Sequence, residues 1–177
     1  MAIYEPHEDS FLLASCVREH ARGSVLDMGS GSGIQAEAAL SATAVTSVLC
    51  ADIDEEAVAL LKQKGFDAVV SDLFEHISGT FDTIIFNPPY LPADDREPLD
   101  SARNTTGGTV GNELVERFLS QAAQHLAPGG IILLLVSSLT PSVSGLCEDH
   151  GFACEQLAKE KYFFETLVVL RLQRAKH

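Results

Sequence analysis

The tetrapeptide Asn87-Pro88-Pro89-Tyr90 contains the side chains with the clearest chemical use in this chain. It follows the apolar run 81–86, which predicts a short buried strand. Because proline has no N–H for a sheet ladder, the chain must leave the sheet at Asn87. The amide and the ring of Tyr90 are then expected at the carboxyl end of a strand, where open α/β sheets bind ligands. The amide can hydrogen bond to a planar NH2 group and the ring can pack on it, although an ordinary Pro-Pro turn has the same sequence.

A glycine-rich turn precedes this strand along the chain. Residues 25–33 run from a predicted strand into a helix and carry Gly29, Gly31 and Gly33 in the spacing G-x-G-x-G. The dinucleotide fingerprint has the different spacing G-x-G-x-x-G. Asp27 stands just before the first glycine, where it disfavours a pyrophosphate and suits a cation such as the α-ammonium of a methionine moiety. A tight turn with a solvated aspartate is the alternative interpretation.

Further acids follow the next two predicted strands. Asp52 ends the second strand, and an acid at this place in nucleotide-type sites accepts hydrogen bonds from both ribose hydroxyls. Asp72 ends the third strand, where it can accept from an adenine amino group while Leu73 packs on the ring. Asp54 is better explained as the N-cap of the helix that follows it. Each acid alone would more often be a cap or a turn residue, but four ligand-type positions at four successive strand ends indicate a ligand site.

Composition limits the class of protein. The 177 residues suffice for a single domain over 1–177, and 46% of them are hydrophobic, which is typical of a globular chain. The formal net charge of -13 disfavours phosphate backbones and anionic membranes as partners. The six histidines and four cysteines show no metal-binding spacing, and neither a signal peptide nor an apolar run of membrane length is visible. We therefore expect a cytoplasmic protein with reduced thiols and no metal site.

Predicted strands and helices alternate, which indicates an α/β fold with a mainly parallel sheet. The stretch 91–112 is long, polar and charged, and a loop of that length is usually functional or disordered. Asp9 or Ser10 can cap the first helix, and Pro128-Gly129-Gly130 predicts a turn. The expected helices are 11–20, 34–40, 55–64, 113–126 and 142–150, and the expected strands are 24–28, 46–51, 66–70, 81–86, 131–137, 153–157 and 166–172.

The opening of the chain and residues 87–92 carry a family resemblance. Residues 4–10 read Y-E-P-H-E-D-S, which resembles the Y-E-P-x-E-D-[ST] opening of the HemK-like release-factor glutamine methyltransferases. Residues 87–92 match that family's N-P-P-Y-L-P, and the resemblance extends over nearly the whole chain. It is strongest with the short archaeal and eukaryotic branch, because there is no room for the additional amino-terminal domain of bacterial members. The family's usual Asn-Pro after the second-strand acid is replaced here by Asp54-Glu55.

The resemblance implies both a fold and a cofactor. The fold is a Rossmann-like class I methyltransferase fold, with a mainly parallel seven-stranded sheet, an antiparallel last strand and helices on both faces. The cofactor is S-adenosyl-L-methionine, covered at its carboxylate end by the amino-terminal segment 1–22. The implied cofactor-binding residues, from the methionine end to the adenine, are Ser10, Asp27, Gly29, Gly31, Asp52, Asp72 and Leu73, and Asn87 touches both cofactor and substrate.

The implied activity is N-methylation of a planar amide, most specifically N5 of the glutamine in a release factor's Gly-Gly-Gln loop. The catalytic residues are then Asn87 and Pro88, whose oxygens accept from the amide NH2 group, and Tyr90, which packs on the amide. Adenine-N6 methylation of nucleic acid is an alternative, since the same tetrapeptide occurs there, but the acidic charge and the lack of an Arg/Lys stripe oppose it. A non-catalytic cofactor-binding subunit and a nicotinamide-binding protein are further alternatives, opposed by the intact tetrapeptide and by the G-x-G-x-G spacing.

A partner chain is also implied. Members of the short branch often pair with a small zinc-binding activator, and the third strand of the family's sheet lies at an edge. An exposed apolar strand edge tends to be covered by another chain. We therefore expect an activator at strand 66–70 and a release-factor-like protein at the substrate-side loop 91–112.

Overall fold

The computed structural model of the chain describes residues 7–89 and 112–176. The helices are α1 (Glu8–His20), α2 (Ile34–Ser41), α3 (Glu55–Gln63), α4 (Glu113–Ala122), which continues into a 3₁₀ turn at Ala123–His125, and α5 (Val143–Asp149). The strands are β1 (Gly23–Met28), β2 (Val45–Asp52), β3 (Asp67–Val70), β4 (Phe81–Phe86), β5 (Leu126–Ser137), β6 (Phe152–Lys161) and β7 (Thr166–Arg174). None of the helices in these two ranges is long and apolar enough to cross a membrane.

The seven strands form one sheet in the order β3-β2-β1-β4-β5-β7-β6. Strand β1 pairs in parallel with β2 and β4, β2 with β3, and β4 with β5. Strand β7 runs antiparallel to both β5 and β6. The predicted mainly parallel sheet with an antiparallel last strand is confirmed, and so is the position of β3 at an edge. The strand order reverses between β1 and β4, and open α/β sheets bind ligands outside the carboxyl ends of strands at such a point.

Apolar side chains alternate between the two faces of the central strands. In β4, Ile84 packs in one core cluster with Phe118 of α4, whereas Ile85 packs in the other with Leu13 of α1 and Ala36 of α2. The side-chain period of two along a strand causes this alternation. Helices therefore cover both faces, as predicted, and the central strands are buried as parallel sheets require.

The start of α1 differs from the prediction. The helix begins at Glu8, not at Phe11, with His7 at its N-cap position. Asp9 and Ser10 lie in the first turn and are buried, so the prediction that one of them caps the helix is wrong. The cap predicted for α3 is confirmed, because Asp54 accepts a hydrogen bond from the second backbone N–H of that helix at 2.9 Å.

The predicted turn at 128–130 is wrong, since these residues lie within β5. Leu126 pairs with Phe81 and Ile131 pairs with Thr83, so the segment between Leu126 and Ile131 bulges out of the ladder. Gly129 has a φ of 74°, which lets the backbone bulge without a Cβ clash. Helix α4 accordingly ends earlier than predicted. Strand β6 is longer than predicted because a second bulge lets it continue pairing with β7.

Candidate functional site

Three of the predicted site residues meet at the carboxyl ends of neighbouring strands. Asp27 lies near the end of β1, Asp52 is the last residue of β2, and Asn87 directly follows β4. Asp52 and Asn87 each come directly after the residue that pairs with Met28 of β1. Their side chains therefore border the same end of the sheet, at the point where the strand order reverses.

The glycine turn after β1 is held against the end of β2. The N–H of Gly29 donates to a backbone carbonyl of β2 at 2.8 Å, and the N–H of Gly31 donates to Oδ2 of Asp52 at 2.8 Å. Gly31 has a φ of 50°, and a Cβ on Gly33 would lie 2.8 Å from the Leu61 side chain. Glycine is therefore needed at 31 for its left-handed backbone and at 33 for the close approach of α3.

Asp27 is a buried carboxyl group with 1% of its surface exposed. Its Oδ2 has no hydrogen-bond partner among the described residues. Burial raises the pKa of Asp27 to about 7, and the charge of Asp52 adds to the rise. Burial and the charge of Asp27 likewise raise the pKa of the neighbouring Cys50 thiol to about 12. A buried carboxylate oxygen without a hydrogen-bond partner is unfavourable, so this position is suited to a cationic ligand group.

Asp52 already has a structural task that the sequence did not indicate. Its Oδ1 accepts from the N–H of Asp54 at 2.9 Å and its Oδ2 accepts from the N–H of Gly31 at 2.8 Å, so it ties the glycine turn to the start of α3. Burial raises the pKa of its carboxyl group. Because each carboxylate oxygen has two lone pairs, Asp52 can accept two further hydrogen bonds from a diol.

The Asn87 amide has one end paired and one end open. Its Nδ2 donates to Oδ2 of Asp9 in α1 at 2.9 Å. Its Oδ1 is buried and has no hydrogen-bond partner in residues 7–89 and 112–176. The sequence prediction treated Asp9 only as a helix cap and missed this contact, although Asp9 belongs to the opening that carries the family resemblance. An open, buried amide oxygen can accept from an N–H group of a ligand.

Ser10, predicted to cover the cofactor, is buried at the start of α1. Its carbonyl accepts from Nε2 of Gln35 in the first turn of α2 at 2.9 Å, so the two helix starts are linked. The Oε1 of Gln35 is buried, and no described residue hydrogen bonds to it. Gln35 was missed because a glutamine after a glycine turn has the sequence signature of an ordinary surface residue.

The region after β3 is arranged differently from the prediction for Asp72. The Oδ2 of Asp72 accepts from Nη2 of Arg117 in α4 at 3.0 Å, and both side chains are partly exposed. Leu73 is buried and has a φ of 49°, a left-handed backbone that is uncommon for leucine. The Ser71 hydroxyl donates to the Leu73 carbonyl at 2.7 Å and supports this conformation. Leu73 is thus a buried apolar side chain just beyond the end of β3, while Asp72 has a competing partner.

Some predicted positions lie outside the described residues. These are Tyr90, the first three residues of the opening motif (4–6), and nearly all of the loop 91–112. Pro88, directly after Asn87, is described and buried. Within the described ranges, no group of three or more His, Cys, Asp or Glu side chains is arranged to hold a metal ion.

Comparison with known proteins places these features in a family. A family model described as "Methyltransferase small domain" matches residues 6–165. The chain is 35% identical, over 97% of its length and 92% of the relative's, to a Methanocaldococcus jannaschii protein whose name assigns it provisionally to the protein N5-glutamine methyltransferases.

Two further similarities are to methyltransferases that act on different classes of substrate, a protein and a ribosomal RNA. A chain from the E. cuniculi Mtq2–Trm112 complex, responsible for methylation of the eRF1 translation termination factor, superimposes with a TM-score of 0.80 and 27% identity, covering 99% of this chain and 100% of that one. The ribosomal RNA small subunit methyltransferase C of Mannheimia succiniciproducens is 32% identical over 79% of this chain. The match spans only 40% of that ribosomal RNA enzyme.

Proposed function

The chain belongs to the methyltransferase small domain family, and we propose that it transfers a methyl group from S-adenosyl-L-methionine to the side-chain amide nitrogen of a glutamine in a protein. The observation that carries this proposal is the Asn87 amide, whose buried Oδ1 is open while its Nδ2 is bound. The similarity to the Mtq2–Trm112 complex supports a translation termination factor as the acceptor. The glutamine of a Gly-Gly-Gln loop is the acceptor that the family resemblance implies.

Asn87 acts on the acceptor by orientation. An amide nitrogen is a weak nucleophile because its lone pair is delocalised into the carbonyl group. We propose that the Asn87 Oδ1 and the Pro88 carbonyl accept from the two N–H groups of the acceptor and direct the nitrogen at the methyl group. Tyr90, which lies outside the described residues, is assigned to the amide plane by the family resemblance. Such positioning can contribute roughly 7–11 kcal/mol in favourable cases. No strong base is needed, since the nitrogen becomes acidic once it is methylated.

The residues at the strand ends fit the cofactor. When bound, S-adenosyl-L-methionine supplies an electrophilic methyl group on a sulfonium. The unpaired Oδ2 of Asp27 suits the cofactor's ammonium group, because a cation relieves the penalty of the buried carboxylate. Asp52 retains lone pairs for the ribose hydroxyls, and we assign the side chain of Leu73 to apolar contact with the adenine. Asp72 must be shared with Arg117 to accept from the adenine amino group.

The remaining proposed contacts are made by backbone and flanking segments. We assign Gly29 and Gly31 to the methionine moiety, because their turn directly follows Asp27 at the end of β1. Ser10 and the segment 1–22 would cover the carboxylate end of the cofactor, and the loop 91–112 would border the acceptor. The link from Ser10 to α2 supports this arrangement, since it holds the start of α1 beside the glycine turn.

A nucleic-acid amine is the second candidate acceptor. The similarity to a ribosomal RNA methyltransferase favours it, and an exocyclic amine is as planar as a side-chain amide. The formal net charge of -13 opposes it, because a field of that sign repels phosphate backbones. The longer match to the M. jannaschii relative also favours the protein acceptor.

A transfer assay with labelled S-adenosyl-L-methionine separates these acceptors. The arms are a release-factor domain, the same domain with the Gly-Gly-Gln glutamine changed to alanine, and RNA and DNA in single-stranded and duplex form. We expect label in the first acceptor alone. Label in the nucleic acids alone would replace the proposal by the second candidate, and equal label in the alanine domain would contradict glutamine as the acceptor.

We also propose that a small activator chain, expected to bind zinc, covers the β3 edge. Strand β3 is the outer strand of the sheet, and Val70 at its end is 38% exposed. Val70→Lys should abolish co-elution with the activator in size-exclusion chromatography after co-expression. Leu40→Lys is the matched control, since Leu40 is also an exposed apolar residue but lies in α2. A monomeric chain that is fully active alone would contradict this proposal.

A further inference from the structure

Asp9 is buried where an ordinary first-turn acid would be exposed. Only 5% of its surface is accessible, whereas the adjacent Glu8 is exposed. A carboxylate in the first turn of a helix interacts favourably with the helix dipole even when it is exposed to solvent, so this interaction does not require burial. The burial of Asp9 instead brings its Oδ2 to 2.9 Å from Nδ2 of Asn87, which is 78 residues away in the sequence.

This contact decides which way the Asn87 amide faces. A primary amide has a donor end and an acceptor end, and an ionised carboxylate can only accept. Asp9 therefore selects the NH2 end of the amide, and Oδ1 must face the opposite side. That oxygen is the one that is buried without a hydrogen-bond partner in the described part of the chain.

The carboxylate that makes this selection is held firmly. Helix α1 packs in the core through Leu13, Ala14 and Val17, none of which is exposed. The carbonyl of Ser10, next to Asp9, is bound by Gln35 of α2 at 2.9 Å. The Asn87 amide is therefore hydrogen bonded to a carboxylate on helix α1, which is itself held in place by packing. A site oriented in this way needs little reorganisation when substrate binds.

We propose that Asp9 is a positioning residue that fixes the Asn87 amide with Oδ1 toward the acceptor, as the Asp9–Asn87 hydrogen bond and the open Oδ1 indicate. This inference rests on the proposed methyl transfer to an NH2 group. Without Asp9 the amide can turn over and present its own NH2 group to the acceptor. Two donors then face each other, and the acceptor nitrogen is no longer directed at the methyl group.

The variants Asp9→Ala and Asp9→Asn separate the orientation of the Asn87 amide from a general structural effect of changing Asp9. Single turnover at saturating S-adenosyl-L-methionine with a release-factor domain should fall about 100-fold in Asp9→Ala, the loss typical of a small misplacement. Asp9→Asn should stay within about tenfold of wild type, because the new amide oxygen can still accept from Nδ2. Cofactor affinity, measured by calorimetry, should hardly change in either variant. Glu19→Ala, which removes an exposed carboxylate from the last turn of the same helix, is the matched control.

A double-substitution cycle tests whether Asp9 acts through Asn87. In an Asn87→Ala background, Asp9→Ala should cause no further loss of turnover, because the group it orients is gone. An equal loss in both backgrounds would overturn the proposal. So would wild-type turnover in Asp9→Ala, an equal loss in Asp9→Asn, or a parallel loss of cofactor affinity.

A measurement on the free protein keeps this inference separate from the proposed function. The Asn87 side-chain NH2 resonances, assigned by their loss in Asn87→Ala, should shift in Asp9→Ala and move much less in Asp9→Asn. Unchanged resonances in Asp9→Ala would overturn the orienting role. If wild-type protein shows the expected resonances but methylates no release factor, the proposed acceptor fails while the orienting contact stands.

Discussion

Asp27 and Asn87 at the centre of the sheet differ from Asp72 beyond the edge strand β3 in both burial and pairing. Each central group has an oxygen that is buried and unpaired among the described residues. Asp72 is 39% exposed and bound to Arg117. An unsatisfied buried polar group costs about 1–3 kcal/mol, whereas an exposed ion pair contributes about 0.2–1 kcal/mol. The central groups therefore have much to gain from a ligand, and the edge group has little.

This contrast indicates which residues contribute most to acceptor orientation and to cofactor binding. Orientation of the acceptor and recognition of the cofactor's charge should depend on the ends of β1 and β4. The adenine end should rest mainly on apolar contact with Leu73, which is 6% exposed, and only weakly on Asp72. Substitutions at the centre should accordingly have far larger effects than substitutions at the edge.

The largest effect is expected for Asn87→Ala. Methyl transfer should fall by several orders of magnitude, because orientation of the acceptor is the main source of acceleration proposed here. Cofactor affinity should fall much less, since Asp27 and Asp52 remain. Single-turnover rate and thermal midpoint are measured on the same preparation. If Asn87 were only a turn residue, the variant would lose stability but keep near-normal turnover in the folded molecules.

The pH dependence of stability should report the burial of Asp27. Its carboxyl group has an ordinary pKa of 3.8 and a folded-state pKa of about 7, so the folded protein holds the extra proton between these values. The free energy of unfolding should therefore decrease as pH rises from about 4 to about 7, by about 4 kcal/mol from this group, at about 1.4 kcal/mol per unit.

Asp27→Asn tests this expectation, because the variant lacks the titrating group. Denaturant unfolding of both proteins across that pH range should give a smaller fall for the variant. Saturating S-adenosyl-L-methionine should also reduce the fall in wild type, since a bound cation favours the carboxylate. Parallel curves for wild type and variant would show that Asp27 does not titrate in this range.

An intermediate effect is expected for Asp52→Ala. Loss of hydrogen bonds from the ribose hydroxyls should weaken cofactor binding by about 1.5–3 kcal/mol, the range for bonds to a charged group. The thermal midpoint should also fall, because the N–H groups of Gly31 and Asp54 lose their acceptor. Calorimetry of the folded variant measures the first effect, and unchanged affinity would remove Asp52 from the ribose site.

The smallest effect is expected at the edge, for Arg117→Ala. The free energy of unfolding should change by less than about 1 kcal/mol, as for other exposed ion pairs. Cofactor affinity should stay the same or rise slightly, because Asp72 is released for the adenine amino group. Glu37→Ala, which breaks the exposed ion pair with Lys64 and leaves the bond from Lys64 to the Ser32 carbonyl in place, is a matched control for stability. A large loss of affinity in Arg117→Ala would mean that the edge contributes more than the contrast predicts.

The fold could be predicted where a local signal was sufficient. Strand β4 has the predicted bounds, and the cap at Asp54 was recognised, because apolar runs and capping acids act within a few residues. The bulge around Gly129 was predicted to be a turn, since the sequence Pro-Gly-Gly is compatible with both a turn and a strand bulge. Whether β5 continues through it depends on pairing with β4, which is distant in the sequence.

The sequence by itself determined the residue types at the strand ends and, through them, the class of ligand and the kind of acceptor chemistry proposed. Only the tertiary structure decided which of those groups are open. Asp9 meets Asn87 across 78 residues, and Arg117 meets Asp72 across 45. Such contacts depend on strand order and on how α1 and α4 pack on the sheet. Pairing and burial are therefore properties of the packed molecule, because a side chain's partners are set by the element that lies against it and not by its neighbours in the chain.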